Sequence, residues 1–263
     1  MYAFTLEQPK TLADAKRLTG GGAQALAGGQ TLIASLKQRL AQPGALVDLG
    51  NVAELRGIRR EGNSLVIGAM TRHEEVASSA DVKSSIPALA ALAGGIGDRQ
   101  VRAMGTMGGS VANNDPAACY PSAVLALGAT IVTDKREIKA DDFFQGMYST
   151  ALDSGELITA IRFPIPKKAA YAKFRQPASR FALVGVFVAL TDGGARVAIT
   201  GAGNGVFRHA GLEAALGKSF TPEAVQGVAV DAGQLNSDLH ASAEYRAQLI
   251  RVQTQRAVAA ANA

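Results

Sequence analysis

Two glycine-rich stretches decide how this sequence is interpreted: Ala27-Gly-Gly-Gln-Thr-Leu-Ile33 and Gly105-Thr-Met-Gly-Gly-Ser110. The first follows a short run, residues 23–27, that predicts a strand, and it leads into a helical apolar spacing that begins at Thr31. Glycine has no Cβ, so the backbone can turn sharply there and bring bare N–H groups close to a ligand. A helix start adds unpaired donors and the positive end of the helix dipole, which suits a pyrophosphate. Taken alone, the first stretch is also typical of an ordinary strand–helix turn.

The second stretch strengthens the case for a ligand. It continues as Val111-Ala-Asn-Asn-Asp-Pro116, and it adds a further run of backbone donors to polar side chains, those of Thr106, Ser110, Asn113 and Asp115. Two phosphate-binding loops so far apart in the chain favour a dinucleotide held between two subdomains. Neither stretch has the Gly-Lys-Ser/Thr ending of a P-loop, and neither matches a Rossmann fingerprint.

The composition limits the class of protein. The chain has 263 residues, of which 48% are hydrophobic and 19% charged, which is enough to build real cores and unlike a disordered chain. One cysteine and three histidines exclude a disulfide framework, a Cys-rich zinc site and an iron–sulfur cluster held by this chain alone. The net charge of +5 with only 5% aromatic residues favours a small anionic ligand or an acidic partner over nucleic acid. No targeting pattern or membrane-spanning stretch is found, so we expect a cytoplasmic protein.

A domain boundary is predicted at Phe163-Pro-Ile-Pro-Lys-Lys168, because proline cannot donate to a sheet ladder and lysine favours solvent. Residues 1–166 alternate short strands and helices around glycine-rich loops. Residues 167–263 predict a three-stranded antiparallel sheet and then helices. The predicted strands are 170–175, 183–190 and 196–200, and the predicted helices are 208–216, 222–230 and 241–260. We therefore predict an α+β fold with a larger domain, residues 1–166, and a smaller domain, residues 167–263.

Other known binding and catalytic motifs are incomplete or missing in this sequence. The run Val197-Ala-Ile-Thr-Gly-Ala-Gly-Asn-Gly205 imitates a Rossmann fingerprint, but Val206 stands where a glycine or alanine is needed. His73 and Glu74 lack a second metal-binding histidine, so they predict the start of a surface helix. No Gly-x-Ser-x-Gly elbow is present, and Cys119 has no neighbouring base. We predict neither a catalytic side chain nor a metal site.

At the two glycine-rich stretches the sequence closely resembles the flavin-binding medium subunit of the molybdenum hydroxylases, the family of xanthine dehydrogenase, aldehyde oxidoreductase and carbon monoxide dehydrogenase. The family's Ala-Gly-Gly-x-Ser/Thr-Leu-Ile/Leu signature appears as Ala27–Ile33, and its Arg-x-x-Gly-Thr-Ile-Gly-Gly-x signature as Arg102–Ser110. Agreement continues nearly to the end of the chain, in Ala112–Pro121, Glu156–Pro164, Tyr171–Arg175 and Leu239–Arg246.

This resemblance implies that residues 1–166 form a bipartite FAD-binding domain of the PCMH type, made of two α/β subdomains. It implies that residues 167–263 form the C-terminal domain of the molybdenum hydroxylase flavoproteins. A basic residue, either Lys173 or Arg175, is expected near the flavin ring. The cofactor-binding residues that the resemblance implies are Ala27, Gly28, Gly29, Gln30, Thr31, Leu32, Ile96, Thr106, Gly108, Gly109, Ser110, Asn113, Asp115, Ile158, Lys173 and Arg175.

One position departs from the family pattern. Cys119 stands where the family commonly carries an Asp that contacts the ribose of the cofactor. A thiol accepts hydrogen bonds poorly, and the loss of one such bond costs about 1–2 kcal/mol. We still expect FAD to bind through the two loops.

The resemblance implies an electron-transfer subunit that passes electrons from iron–sulfur clusters through FAD to NAD, oxygen or a quinone. The molybdenum cofactor and two [2Fe–2S] clusters are expected in a large and a small partner subunit, assembled as a dimer of heterotrimers. An aldehyde or an N-heterocycle is the expected class of substrate. Two alternatives stay open: a stand-alone flavin oxidase that acts directly on a small substrate, and an assembly module without cofactor.

Overall fold

The computed structural model describes all 263 residues and begins with a small parallel sheet. Its strand order is β1-β3-β2, and both pairings are parallel because a helix connects each strand to the next. Its elements are β1 (Thr5–Glu7), α1 (Leu12–Gly20), β2 (Gln24–Leu26), α2 (Leu32–Lys37) and β3 (Ala45–Asp48). The first glycine-rich stretch therefore leaves the carboxyl end of a parallel strand, where α/β sheets commonly bind ligands.

A five-stranded antiparallel sheet follows, in the order β4-β5-β10-β6-β7. Its strands are β4 (Ile58–Glu61), β5 (Ser64–Gly68), β6 (Thr130–Thr133), β7 (Glu137–Lys139) and β10 (Ile158–Pro164). The helices between them are α3 (His73–Ser78), α4 (Ala80–Ser85), α5 (Pro87–Gly94), α6 (Arg99–Met104), α7 (Met107–Asn113), α8 (Tyr120–Ala126) and α9 (Ala140–Phe143), before a small hairpin of β8 (Phe144–Gly146) and β9 (Ser149–Thr150). Helix α8 is wholly buried, five of the eight residues of α5 are buried, and the two helices form the largest core with this sheet.

The C-terminal part is a sequential antiparallel sheet of four strands, so the prediction of three strands is wrong by one. The strands are β11 (Lys168–Arg175), β12 (Ala182–Thr191), β13 (Gly194–Thr200) and β14 (Phe207–Arg208), followed by α10 (Ala210–Lys218) and α11 (Ala243–Asn262). Strand β14 has two residues, too few for any periodic signal in the sequence. The predicted helix 222–230 is also wrong, because only a short 3₁₀ turn, Pro222–Val225, forms before Gly227. None of the helices is both long and apolar enough to cross a bilayer.

Strand β12 is buried on both faces. Val186 and Val188 pack in the C-terminal core with α11, while Phe187 and Ala189 belong to the same core as α5 and α8. Side chains alternate along a strand, so one strand serves two cores. The C-terminal sheet is thereby fixed against the helices of the larger sheet.

A buried carboxylate joins the turn after β6 to the segment before β10. Glu156, whose side chain has no exposed surface, accepts hydrogen bonds from Arg136 Nε (3.1 Å) and Nη2 (3.0 Å) and from Thr133 Oγ1 (2.7 Å). The backbone N–H of Asp153 donates a further bond of 2.8 Å. Burial by itself would raise the pKa of Glu156, but these hydrogen bonds outweigh it and lower the pKa to about 2.

Replacing Glu156 with Gln should therefore destabilise the fold in a pH-dependent way. Because the folded-state pKa is depressed from 4.5 to about 2, the ionised group stabilises the fold above pH 4.5 and loses this effect as the pH falls towards 2. We expect Glu156→Gln to lower the free energy of unfolding at pH 7 by about 2–4 kcal/mol. Urea unfolding measures the difference in free energy of unfolding between the wild type and Glu156→Gln. At pH 3.5 this difference should be about 1 kcal/mol smaller than at pH 7.

Glu61 provides the control, because its exposed carboxylate only pairs with Arg59 at 2.6 Å. Exposed ion pairs contribute about 0–1 kcal/mol, so Glu61→Gln should change the stability by no more than that. Equal effects of the two substitutions, with no change between the two pH values, would contradict the role given to Glu156.

Candidate functional site

A cleft of about 830 Å³ runs beside both glycine-rich stretches. The end of β2 and the start of α2 form one wall, and α6, α7 and the segment before β10 form the others. The turn between β11 and β12 contributes Ser179, Arg180 and Phe181 at the rim. The volume lies within the range of about 300–1,000 Å³ that is common for ligand sites.

The first glycine-rich stretch supplies the donors of the cleft. The backbone N–H groups from Gly28 to Leu32 make no hydrogen bond within the protein. Gly29 has a φ of +70°, in the left-handed region, which turns the chain so that consecutive N–H groups converge. A Cβ on Gly28 would lie 2.2 Å from the carbonyl oxygen of Met104. This concave run of unpaired donors, next to a position that admits only glycine, fits an anionic group such as a pyrophosphate.

The second stretch behaves differently, and the prediction of a second run of free donors is wrong. Residues from Met107 onwards form helix α7, which is capped by the hydroxyl of Thr106. All N–H groups of its first turn have acceptors inside the protein: Met107 to Thr71 O (3.0 Å), Gly108 to Ala69 O (2.8 Å), Gly109 to Thr106 Oγ1 (3.2 Å) and Ser110 to Thr106 O (3.0 Å). Helix α7 is hard to predict from the sequence, because Gly108 and Gly109 lie in its first turn and glycine disfavours helices.

The glycines of α7 serve close packing. A Cβ on Gly108 would lie 2.5 Å from the Cβ of Ala69, at the end of β5. A Cβ on Gly109 would lie 2.8 Å from Thr106 Oγ1 and 3.3 Å from the Cβ of Ala27. The two stretches therefore lie close together, and the lack of a Cβ at Gly108 and Gly109 lets α7 pack closely against Ala69 and Ala27.

The structure brings the predicted site residues together, with one exception. All of them line the cleft except Arg175. Lys173 and Arg175 are two apart on β11, and the register shifts between Phe174 and Arg175. Both side chains reach Gly95: Lys173 Nζ donates to its carbonyl oxygen at 2.8 Å, and Arg175 Nη2 would lie 3.7 Å from a Cβ there. Arg175 is nevertheless exposed and does not line the cleft. Of the two alternatives, only Lys173 points into the cleft.

Lys173 is held by three acceptors. Its Nζ donates to the carbonyl oxygens of Gly95 (2.8 Å) and Arg180 (3.2 Å) and lies 3.4 Å from Cys119 Sγ. These contacts occupy the three N–H bonds of the ammonium group. Lys173 therefore places a fixed positive charge in the cleft and ties the β11–β12 turn to the end of α5.

The polar residues after α7 are only partly engaged. Asp115 accepts the N–H of Ala117 at 2.8 Å and lies 3.4 Å from the hydroxyl of Tyr148, whereas the amide of Asn113 has no partner within the protein. Asn113 is free to contact a ligand. Neighbouring Asn114 is buried, has a φ of 44° and donates to two carbonyl oxygens of the β8–β9 hairpin, so it shapes the segment.

Sequence reasoning missed part of the lining. The predicted helix start at His73 is confirmed and Glu74 is exposed, but the His73 side chain is buried, and its Nε2 would lie 2.5 Å from a Cβ on Gly105. Burial, with a smaller effect of Arg102, lowers the pKa of His73 to about 4, so the ring is neutral at pH 7. The turn at Ser179–Phe181 was missed as well, because only tertiary contacts bring it to the cleft.

Unpaired amides in a concave cleft between subdomains define a site for a phosphate-containing cofactor, and comparison with known families gives its class. Residues 2–166 match the family described as the FAD binding domain in molybdopterin dehydrogenase. The chain belongs to this family of oxidoreductase flavoproteins and is an FAD-binding subunit of the molybdenum hydroxylase type. The free amides of residues 28–32 fit the diphosphate of FAD.

Similarity to individual relatives extends over the whole length. The chain is 36% identical to the carbon monoxide dehydrogenase medium chain of Hydrogenophaga pseudoflava, covering 98% of this chain and 96% of the relative. It is 34% identical to the glyceraldehyde dehydrogenase medium chain of Sulfolobus acidocaldarius, covering 97% and 96%. The solved structure of reconstituted CO dehydrogenase from Oligotropha carboxidovorans contains a chain that superimposes with a TM-score of 0.92 at 34% identity, covering 99% and 98%.

Gly28→Ala should abolish most FAD binding. The added Cβ would meet the Met104 carbonyl at 2.2 Å, so the loop must move and its donors diverge from the diphosphate. We expect the flavin content of the purified chain to fall at least about tenfold, since several charge-assisted hydrogen bonds are lost together. The ratio of the absorbance at 450 nm to that at 280 nm measures this content.

Gly44→Ala is the matched control, since a Cβ there meets no atom within 4 Å. Its flavin content should equal that of the wild type. Full flavin content in Gly28→Ala would show that the first stretch does not bind the cofactor.

Proposed function

We propose that this chain holds one FAD in the cleft and passes electrons from the iron–sulfur clusters of a partner subunit through FAD to an external acceptor. The observation that carries this proposal is the run of five backbone N–H groups, Gly28 to Leu32, without acceptors in the protein. We further propose residues 1–166 as the FAD-binding domain and residues 167–263 as a C-terminal domain that completes the cleft through Lys173 and the β11–β12 turn.

Different residues of the cleft would bind different parts of FAD. The free amides of the first stretch would bind the diphosphate, and the Asn113 amide and Asp115 carboxylate would contact the adenosine half. Ile96 and Ile158 line the cleft with apolar surface that suits the packing of a ring. Thr106, Gly108 and Gly109 contribute by packing, since the Thr106 hydroxyl and the N–H groups of both glycines are already bound within the protein.

Bound FAD supplies the redox chemistry, and the protein supplies orientation and electrostatics. The ammonium of Lys173 stabilises negative charge at its end of the cleft, an effect of a few kcal/mol at intermediate dielectric constants. Its position does not depend on the ligand, because three protein atoms already hold it. Lys173 is thus our choice for the basic residue near the flavin ring.

The relatives are subunits of multi-subunit enzymes, so this chain acts with partner subunits. We propose a small subunit with the iron–sulfur clusters and a large subunit with the molybdenum cofactor. Relatives at 34–36% identity are named for carbon monoxide and for glyceraldehyde. This supports a large subunit that selects the substrate, with an aldehyde or an N-heterocycle as the proposed class. The dimer of heterotrimers and the cytoplasmic location stay predictions.

Flavin loading of the full chain tests the proposal. Purified chain incubated with excess FAD and desalted should keep about one FAD per chain and bleach at 450 nm on reduction with dithionite. It should not oxidise small substrates until it is combined with its partner subunits. A chain that stays colourless would overturn the proposal, and steady turnover by the isolated chain would instead indicate a flavin oxidase.

Lys173→Met should make the bound flavin harder to reduce, because it removes the positive charge near the ring. We expect the midpoint potential to fall by about 30 mV or more, a tenfold change in the two-electron equilibrium. A spectroscopic redox titration of the FAD-loaded chain measures the shift.

Arg175→Met makes the same charge change two residues along the strand, at an exposed side chain that does not line the cleft. Because water screens this charge, its potential should shift less than half as far as that of Lys173→Met. Equal shifts of the midpoint potential in the two variants would show that Lys173 is not the basic residue near the flavin ring.

A further inference from the structure

Residues 115–119, between α7 and α8, form part of the wall of the cleft. We term these residues the wall segment. Asp115, Ala117, Ala118 and Cys119 of this segment line the cleft. The carbonyl oxygens of Pro116 and Ala118 point instead towards the C-terminal sheet, where they are bound by its residues. The position of this wall therefore depends on atoms outside residues 1–166.

Thr200, the last residue of β13, makes this connection. Its side chain is fully buried, and Oγ1 lies 2.7 Å from both Pro116 O and Ala118 O. A hydroxyl has one proton, so it donates to one carbonyl at a time. The N–H of Gly201 donates a further bond of 2.7 Å to Pro116 O. Together they hold the wall segment at two points.

A buried arginine fixes these donors in turn. Arg246 on α11 is 3% exposed and donates through Nη1 to the carbonyl oxygens of Gly201 (2.8 Å) and Leu183 (2.9 Å). Its Nη2 donates to Asp238 at 2.7 Å. Gly201 has a φ of +83°, and a Cβ there would lie 2.3 Å from the Ala182 carbonyl, so its conformation requires glycine. Through Arg246, the Leu239–Arg246 stretch is thus connected to Gly201 and to the cleft wall.

We propose that Thr200 is a positioning residue for FAD: its hydroxyl holds the wall segment so that Asp115 and Cys119 face the cofactor. The inference rests on the proposed function, in which FAD occupies the cleft. Without the hydroxyl, the carbonyl oxygen of Ala118 loses its donor, and only Pro116 O stays bound, by the N–H of Gly201. The segment then loses one of its two attachments, and the cleft wall opens.

The only cysteine of the chain reports directly on this wall. Cys119 ends the segment and is 5% exposed, so we expect its thiol to react slowly with iodoacetamide and faster when the segment moves. The test compares Thr200→Val with Thr200→Ser in the full chain without FAD, by the rate of Cys119 alkylation. The dissociation constant of FAD is measured on the same proteins by fluorescence titration.

Thr254→Val is the matched control. Thr254 is equally buried in the same part of the chain, but its hydroxyl donates only to Ile250 O within α11, at 2.7 Å. It therefore reports the general cost of removing a buried hydroxyl, and the melting temperature of each variant is measured alongside.

We expect Thr200→Val to raise both the alkylation rate and the FAD dissociation constant about tenfold. Thr200→Ser should stay within about threefold and Thr254→Val within about twofold of the wild type in both measurements. If the wild type binds FAD but Thr200→Val matches Thr254→Val, or serine fails to rescue, the inference is overturned and the proposed function stands. If the wild type binds no FAD, the proposed function fails and the inference with it.

Discussion

The structure depends on five consecutive backbone amides, at residues 28–32, that have no acceptor of their own. Gly28, Gly29 and Leu32 are partly buried. Unpaired N–H groups at such positions are costly, so a fold keeps them only where the surrounding structure enforces them. The carbonyl of Met104 lies where a Cβ of residue 28 would be, and Gly29 adopts a left-handed conformation. The cost is recovered when an anion with several oxygens accepts these bonds. This single constraint explains the two adjacent glycines and the close contact with the chain before α7.

The three main sheets of the protein contribute different groups to the cleft. The parallel sheet contributes donors, and the larger sheet contributes close-packed helices whose polar backbone groups are satisfied internally. The C-terminal sheet contributes a fixed positive charge at Lys173 and the hydroxyl of Thr200 behind the wall segment. Cys119 meets the Lys173 ammonium at 3.4 Å, so the residue that departs from the family pattern contacts the one cation that the cleft holds in place.

Much of this arrangement could be predicted from the sequence, and the failures have physical causes. The glycine-rich motifs identified the lining residues because their order and spacing are specific. They misled about α7, since its stability comes from the Thr106 cap and from contacts with Ala69 that no local propensity reveals. Arg175 was a reasonable candidate by strand periodicity, but its guanidinium is exposed beside Gly95 and does not line the cleft. The contributions of His73, Thr200 and the Ser179–Phe181 turn arise from residues distant in the chain, so one sequence carries no local signal for them.

The burial of strand β12 on both faces affects how the chain unfolds. Its alternate side chains are divided between two hydrophobic interiors, with Phe187 in one and Val186 in the other. Neither interior can come apart without exposing half of that strand, so the chain should unfold cooperatively as a single unit. A fragment that stops after the proline pair at 164 and 166 would expose the apolar surfaces of α5 and α8 to water and tend to aggregate. We therefore expect that residues 1–166 need the C-terminal sheet in order to fold.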